Sequence, residues 1–183
     1  MVGRAEQGQA DRVVSTGSPA PGDVAGASIG KTTQRVGWRE LVTLPDLCGR
    51  RIPAKIDTGA RTSSLHATEI ESFDKDGHHW LRFLLDIGDG QSEPVTLEVK
   101  RADRRTVTSS NGEGQERHII KTMMQLGASS FPVEFSLADR SEMQFPILVG
   151  RTALRRRFLV DSGRSYLQSA PDERAAILNL RST

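Results

Sequence analysis

Lys55-Ile56-Asp57-Thr58-Gly59-Ala60-Arg61-Thr62-Ser63-Ser64-Leu65-His66 is the most informative segment of the chain. An apolar strand end delivers Asp57-Thr58-Gly59-Ala60, a tight turn with a carboxylate at its mouth. A hydrolytic carboxylate needs that layout: a rigid strand to aim it, a hydroxyl to lock the turn, and a glycine so that a second backbone can come close. The tripeptide alone is weak, because turns are rich in these residues and an Asx-turn holding a strand end reads the same way. Its weight depends on its surroundings.

Downstream, Phe145-Pro-Ile-Leu-Val-Gly150-Arg151-Thr-Ala-Leu154 reads as a second apolar strand that ends in Gly-Arg and runs into a short helix. Between the two lies a hairpin candidate, Ser109-Ser-Asn111-Gly112-Glu113-Gly114-Gln115, flanked by Val107 and by Ile119-Ile120. Asn-Gly favours a tight reversal, and Gly114 adds a second permissive joint. Apolar residues recur at every second position in Ile52, Ala54, Ile56; in Phe83, Leu85, Ile87; in Val95, Leu97, Val99; and in Phe131, Val133, Phe135, Leu137. That period marks strands with one buried face. Asp76-Gly77, Gly88-Asp-Gly90 and Gly127 separate them with turn chemistry. Many short strands with frequent turns predict an all-β barrel or sandwich. Helix is scarce: one or two turns over Thr152 to Phe158, and a C-terminal pattern from Pro171 to Leu180 with Ser169 or Ala170 near its cap.

These motifs, in this order, resemble the retropepsin-like aspartic peptidases. More closely, Lys55 to Ala67, Phe145 to Leu154, Phe158-Leu-Val-Asp161 and Ser165-Tyr-Leu167 are similar to the bacterial RimB family, whose members often carry the label ATP-dependent zinc protease. The resemblance spans roughly residues 36–168. It implies a retropepsin-like closed β-barrel with one short helix and a flap hairpin. It also implies a partner, an ATP-grasp glutamate ligase that extends ribosomal protein tails.

Peptide hydrolysis of this kind uses two carboxylates so close that they cannot both ionise. A chain of 183 residues is too short for two pepsin-like lobes. The economical solution is a twofold homodimer in which Asp57 of each copy meets at the axis. Thr58 would then clasp the partner turn, Gly59 would permit the approach, and Ala60 would pack beneath. Asn111, Gly112, Glu113 and Gly114 would form the flap, Gly150 would let the second strand pass under the Asp57 loop, and Arg151 would brace it. The chain departs from the viral pattern at Arg61, where retroviral enzymes carry an acidic residue that pairs with the Gly-Arg arginine. Asp161-Ser162-Gly163 is a second carboxylate turn, but too little chain follows it to build a supporting strand-Gly-helix unit, so a closing strand and turn is expected there.

The metal label finds no support in the spacing of His66, His78, His79 and His118, since a zincin needs His-Glu-x-x-His on one helix face. No metal or other cofactor is expected. ATP has no Gly-x-x-x-x-Gly-Lys-Ser/Thr loop to bind, because Gly112-Glu-Gly114 lacks the lysine and the helix. Two alternatives stay open: a catalytically silent module that holds a peptide beside the ligase, and a zinc peptidase as the label says.

Bulk properties bound the rest. Apolar residues make up 36% and aromatics 5%, enough for one modest core. Residues 1–35 are rich in Gly, Ala, Ser and Pro without periodicity and are expected to be a disordered N-terminal extension, with the peptidase domain over 36–168 and a tail over 169–183. The net charge of +2, with basic clusters Arg101 to Arg105 and Arg155-Arg156-Arg157, reads as a solvated surface; direct nucleic-acid binding is not expected, although a ribosomal protein remains a candidate substrate. Cys48 is the one cysteine, which fits a reducing cytoplasm and a small apolar role. No window holds the ~18 apolar residues of a membrane span, and no secretory signal is evident, so a cytoplasmic protein acting on a peptide or protein is expected.

Overall fold

The computed structural model describes residues 33–87, 92–108, 112 and 114–180, with the backbone alone for 176–180. The proposed N-terminal extension up to residue 32 and the Gly88-Asp-Gly90 turn lie outside them. The strands are β1 (Gln34–Gly37), β2 (Arg39–Thr43), β3 (Arg51–Asp57), β4 (Ser63–His66), β5 (Thr68–Lys75) and β6 (His78–Leu85). They continue with β7 (Val95–Thr108), β8 (Gly114–Leu126), β9 (Ser129–Ala138), β10 (Ile147–Gly150) and β11 (Phe158–Asp161). Two helices, α1 (Arg151–Leu154) and α2 (Pro171–Leu180), complete the described elements.

Nine strands pair in the order β2-β3-β10-β4-β9-β8-β7-β6-β5, and β1 pairs with β11 in a separate parallel ribbon. The all-β expectation holds. The expected closed barrel is realised only in part. The sheet has an open edge at β5, while Val42↔Leu126 and Thr43↔Gln125 join β2 back to β8 through two residue pairs only.

Alternation explains the core. Ile52, Ala54 and Ile56 of β3 face inward, as do Phe131, Val133, Phe135 and Leu137 of β9. Phe83 and Leu85 join them from β6, and Ile87 lies just beyond that strand's end. Each large side chain of this set contributes about 1.5–3 kcal/mol when fully buried. Val95, Leu97 and Val99 are only half-buried where β7 pairs with β6, and Leu97 and Val99 pack against the core. The helix expected over Thr152 to Phe158 is one turn, Arg151–Leu154. Arg156 takes a left-handed φ of 62°, and Phe158 turns back into β11 against Phe131 at 5.7 Å. At α2 the Glu173 carboxylate accepts the Ala170 N–H at 2.9 Å, half of a capping box, and also pairs with Arg51. No helix of the described residues is long and apolar enough to cross a membrane.

Candidate active site

Asp57 is the last residue of β3, and strand alternation places it with Lys55 on the outward face while Ala54 and Ile56 turn to the core. Asp57 Oδ1 accepts the N–H groups of Gly59 and Ala60, each at 3.0 Å. Oδ2 stands 3.4 Å from Lys55 Nζ. Burial pushes the carboxyl pKa up, but the Ala60 N–H, the Lys55 ammonium and the Gly59 N–H outweigh it and hold the group below the usual Asp value. The ionised carboxylate therefore steadies the loop above the ordinary Asp range, and that contribution is lost as pH falls through the lowered value.

The parallel register of β10 on β3 sets Gly150 beside Asp57. From there residues 150–152 fasten the loop. Gly150 N–H donates to Ser63 Oγ at 3.1 Å, and Arg151 N–H donates to the Ala60 carbonyl at 2.9 Å. The Arg151 guanidinium donates to the Gly59 carbonyl at 3.0 Å, and the Thr152 hydroxyl to the Arg61 carbonyl at 2.9 Å. The Arg61 side chain is exposed, and Arg151 reaches past it to the backbone. Ser63, which sequence reasoning passed over, also accepts from the Ser136 hydroxyl through its carbonyl at 3.1 Å.

A Cβ on Gly150 would stand 2.5 Å from the Thr62 carbonyl oxygen and 2.6 Å from its carbon. Both are backbone atoms that cannot swing aside. Gly150→Ala should therefore displace the Asp57 loop and destabilise the protein by about 1–3 kcal/mol, read as a lower thermal midpoint. An unchanged midpoint would show that the loop gives way freely.

Thr58 is exposed beside a groove of about 640 Å³ lined also by Arg61, Arg151, Arg155, Leu159 and Val160. Leu159 there is 61% exposed. Gly112, at the tip of the β7–β8 hairpin, has a φ of +83°, and Gly114 opens β8 opposite Thr108. Asn111 and Glu113 of the expected flap lie outside the described residues.

Two cations near Asp57 carried no role in the sequence reading. Lys55 could have been found from its place two residues before Asp57, since that spacing shares a strand face. Arg140 could not, because it comes from the loop after β9. There it is half-buried, with Nε donating to the Phe145 carbonyl at 3.2 Å. Burial lowers its pKa, Arg117 adds to that, and the charge of Asp57 opposes both.

The histidines disperse. His66 is buried and accepts the Arg140 N–H at 2.9 Å through Nδ1; His79 pairs with Asp74, and His118 meets the Ser72 hydroxyl at 3.4 Å. Among the described residues no three His, Cys, Asp or Glu side chains converge on one point. Cys48 packs part-buried against the core.

Known proteins resemble the chain in sequence and in fold. The family model described as RimB-like, retropepsin-like aspartic endopeptidase RimB, matches residues 35–171. A probable alpha-L-glutamate ligase of Shewanella pealeana is 38% identical over 132 residues, 72% of this chain and 29% of that protein. One from Parasynechococcus marenigrum is 35% identical over 72% of this chain and 28% of that protein. The chain thus spans less than a third of the curated relatives it matches. A crystal structure of a Legionella pneumophila protein of unknown function superposes with a TM-score of 0.63 at 25% identity, covering 74% of this chain and 98% of that one.

Proposed function

The chain belongs to the RimB-like family of retropepsin-like aspartic endopeptidases, and from that premise we propose that it hydrolyses peptide bonds with a carboxylate pair, one Asp57 from each of two copies. The observation that carries this reading is the Asp57 carboxylate itself, held by two backbone N–H groups at a strand end and still 24% exposed. The ring of β2, β3, β10, β4, β9 and β8 serves as the retropepsin barrel. Thr58, Gly59 and Ala60 form the contact between the two turns, Gly150 and Arg151 support them from below, and the β7–β8 tip closes over the peptide.

In the pair, one ionised carboxylate takes a proton from water while its oxygen attacks the peptide carbonyl carbon. The protonated carboxyl gives its proton to the carbonyl oxygen. The resulting gem-diol collapses, the C–N bond breaks, and the amine leaves with a proton. Only the singly protonated pair can do both, so the rate should be bell-shaped in pH, with both limbs belonging to the pair. The carboxylates of two copies face each other with like charge, which raises the upper value, while the N–H groups and Lys55 keep the lower one down. Cleavage inhibited by pepstatin, bell-shaped on the acid side of neutrality, from a species of dimeric mass supports this reading. A rate that climbs steadily into alkaline pH, or a strictly monomeric active species, defeats it.

A zinc peptidase makes the opposite forecast for chelation. Incubation with EDTA should leave the cleavage rate within about twofold, because no ligand set of tetrahedral type is assembled among the described histidines. Loss of activity restored by stoichiometric zinc would favour the metal reading.

A second reading rests on the relatives. They carry the matched region inside longer chains named glutamate ligases, which favours a module that works beside such a ligase, whether it cleaves or only holds a peptide. Co-elution of the chain with an ATP-grasp glutamate ligase tests that association, and separate elution at micromolar concentrations opposes it.

A further inference from the structure

His66 ends β4 and is buried. Its Nδ1 stands 2.9 Å from the backbone N–H of Arg140, in the loop after β9. A backbone N–H can only donate, so Nδ1 holds a lone pair there and the proton of the neutral ring sits on Nε2. The Asp139 carboxylate lies 3.8 Å from the same nitrogen. The N–H and the hydroxyl of Ser141 hold that carboxyl below the usual Asp value, and His66 adds to their effect. Leu65 and Ala67, on either side of His66, are buried and apolar. Ala138 of β9 is its cross-strand neighbour, and the Pro146 carbonyl, just before β10, accepts the His66 N–H at 2.8 Å. Among the described residues Asp139 and Arg140 are the charged residues that pair with or bond to the ring.

Arg140 is fastened at three points. Its N–H goes to His66, its carbonyl accepts the Met143 N–H at 2.8 Å, and its Nε donates to the Phe145 carbonyl at 3.2 Å. The charge of Asp57 acts on the guanidinium held in this way. We propose that His66 is a positioning residue, which seats Arg140 in the field of Asp57 through its unprotonated Nδ1, and that protonation of the ring releases the seat. This deepens the reading of Asp57 as the hydrolytic carboxylate and rests on it. A proton on Nδ1 turns an acceptor into a donor that faces the Arg140 N–H, so their bond is lost. The imidazolium has a new partner at hand in Asp139, 3.8 Å away. While Arg140 is seated, its cation favours the ionised carboxylate and opposes the proton that the pair shares; once the seat is lost, the pair holds that proton more readily. Imidazole gains its charge in the mildly acidic range, where a carboxylate pair is expected to work. The ring and the pair then take up protons in concert.

Two variants of the full chain, followed by NMR, test this. In His66→Asn an amide oxygen takes the place of Nδ1, so the Arg140 N–H keeps an acceptor that cannot be protonated. In His66→Leu no acceptor is left. In the unsubstituted protein the Arg140 amide resonance should shift with pH along the same curve as the His66 ring carbon, and in His66→Asn that shift should vanish. The Asp57 carboxyl carbon should titrate roughly half a pH unit higher in His66→Leu than in His66→Asn. The upper limb of the pH–rate profile should differ between the two variants in the same direction, whereas a merely structural histidine would scale the rate alike at every pH. An Arg140 amide that ignores the titration of His66, or one Asp57 titration shared by both variants, overturns the proposal and leaves the protease standing. If His66→Leu does not fold, the comparison of the unsubstituted protein with His66→Asn decides by itself. If no peptide is cleaved, the proteolytic reading fails, and the Arg140 and Asp57 resonances still decide whether His66 seats Arg140.

Discussion

Asp57→Asn should reduce peptide cleavage by about 10²–10⁴-fold, the scale of one positioned acid–base group, while the fold stays intact. The amide oxygen of Asn can still accept the N–H groups of Gly59 and Ala60, which Asp57 Oδ1 takes at 3.0 Å. It cannot take a proton from water. The lost pairing with Lys55 is a surface ion pair at 3.4 Å, worth no more than about 1 kcal/mol. Melting and cleavage measured on one preparation therefore separate chemistry from folding. Asp161→Asn is the matched control. Its carboxylate accepts the Gly163 N–H at 3.1 Å and lies 3.7 Å from Arg164, an arrangement that closes the turn after β11. Cleavage should survive that change. Equal losses in both variants would put two carboxylates of one chain in the site and defeat the two-copy reading.

Glu40→Ala should be the most destabilising single substitution outside the apolar core. Glu40 is fully buried, and its carboxylate is the acceptor for three backbone donors. Oε1 takes the N–H groups of Gly37 at 2.6 Å and Leu167 at 2.8 Å, and Oε2 takes that of Gln168 at 3.2 Å. Truncation leaves these donors without an acceptor in a place closed to water. A loss of about 3 kcal/mol follows from the cost of unsatisfied buried donors, with a fall in thermal midpoint of about 6–12 °C for a domain of this size. Glu40→Gln should cost less, since it keeps one acceptor oxygen but turns an NH₂ toward a donor. A midpoint that moves by less than about a degree in Glu40→Ala would show that water or the loop replaces the carboxylate.

Much of the fold is legible because its causes are local. The turn at Asp57 is closed by N–H groups two and three residues on, so the letters Asp-Thr-Gly-Ala already contain both partners. The alternation in β3 and β9 is equally local, since a strand shows every second side chain to one face whatever its neighbours are. The C-terminal helix begins at Pro171 as its pattern predicts, with Glu173 bonding three residues back. Thr152 to Phe158 holds no glycine or proline to end a helix, so its residues predict a longer helix than the one turn that forms. What ends it is Phe158, drawn into the core by Phe131 and into a parallel ribbon by β1. Local propensity gives no sign of either.

The strand-rich class, the Asp-Thr-Gly-Ala turn with its carboxylate, and the shared outward face of Lys55 and Asp57 follow from the order of residues alone, because each depends on contacts within three residues. What supports them comes from distant parts of the chain. Glu40 meets Leu167 and Gln168 across 127 and 128 residues, and Arg151 meets Gly59 across 92. Arg140 enters the field of Asp57 from a loop with no local link to β3. Such contacts are set by strand order and by parallel register, above all β10 on β3 and β1 on β11. Neither is written in any short window, because a strand's alternation specifies which face it buries and leaves open which strand it will lie beside.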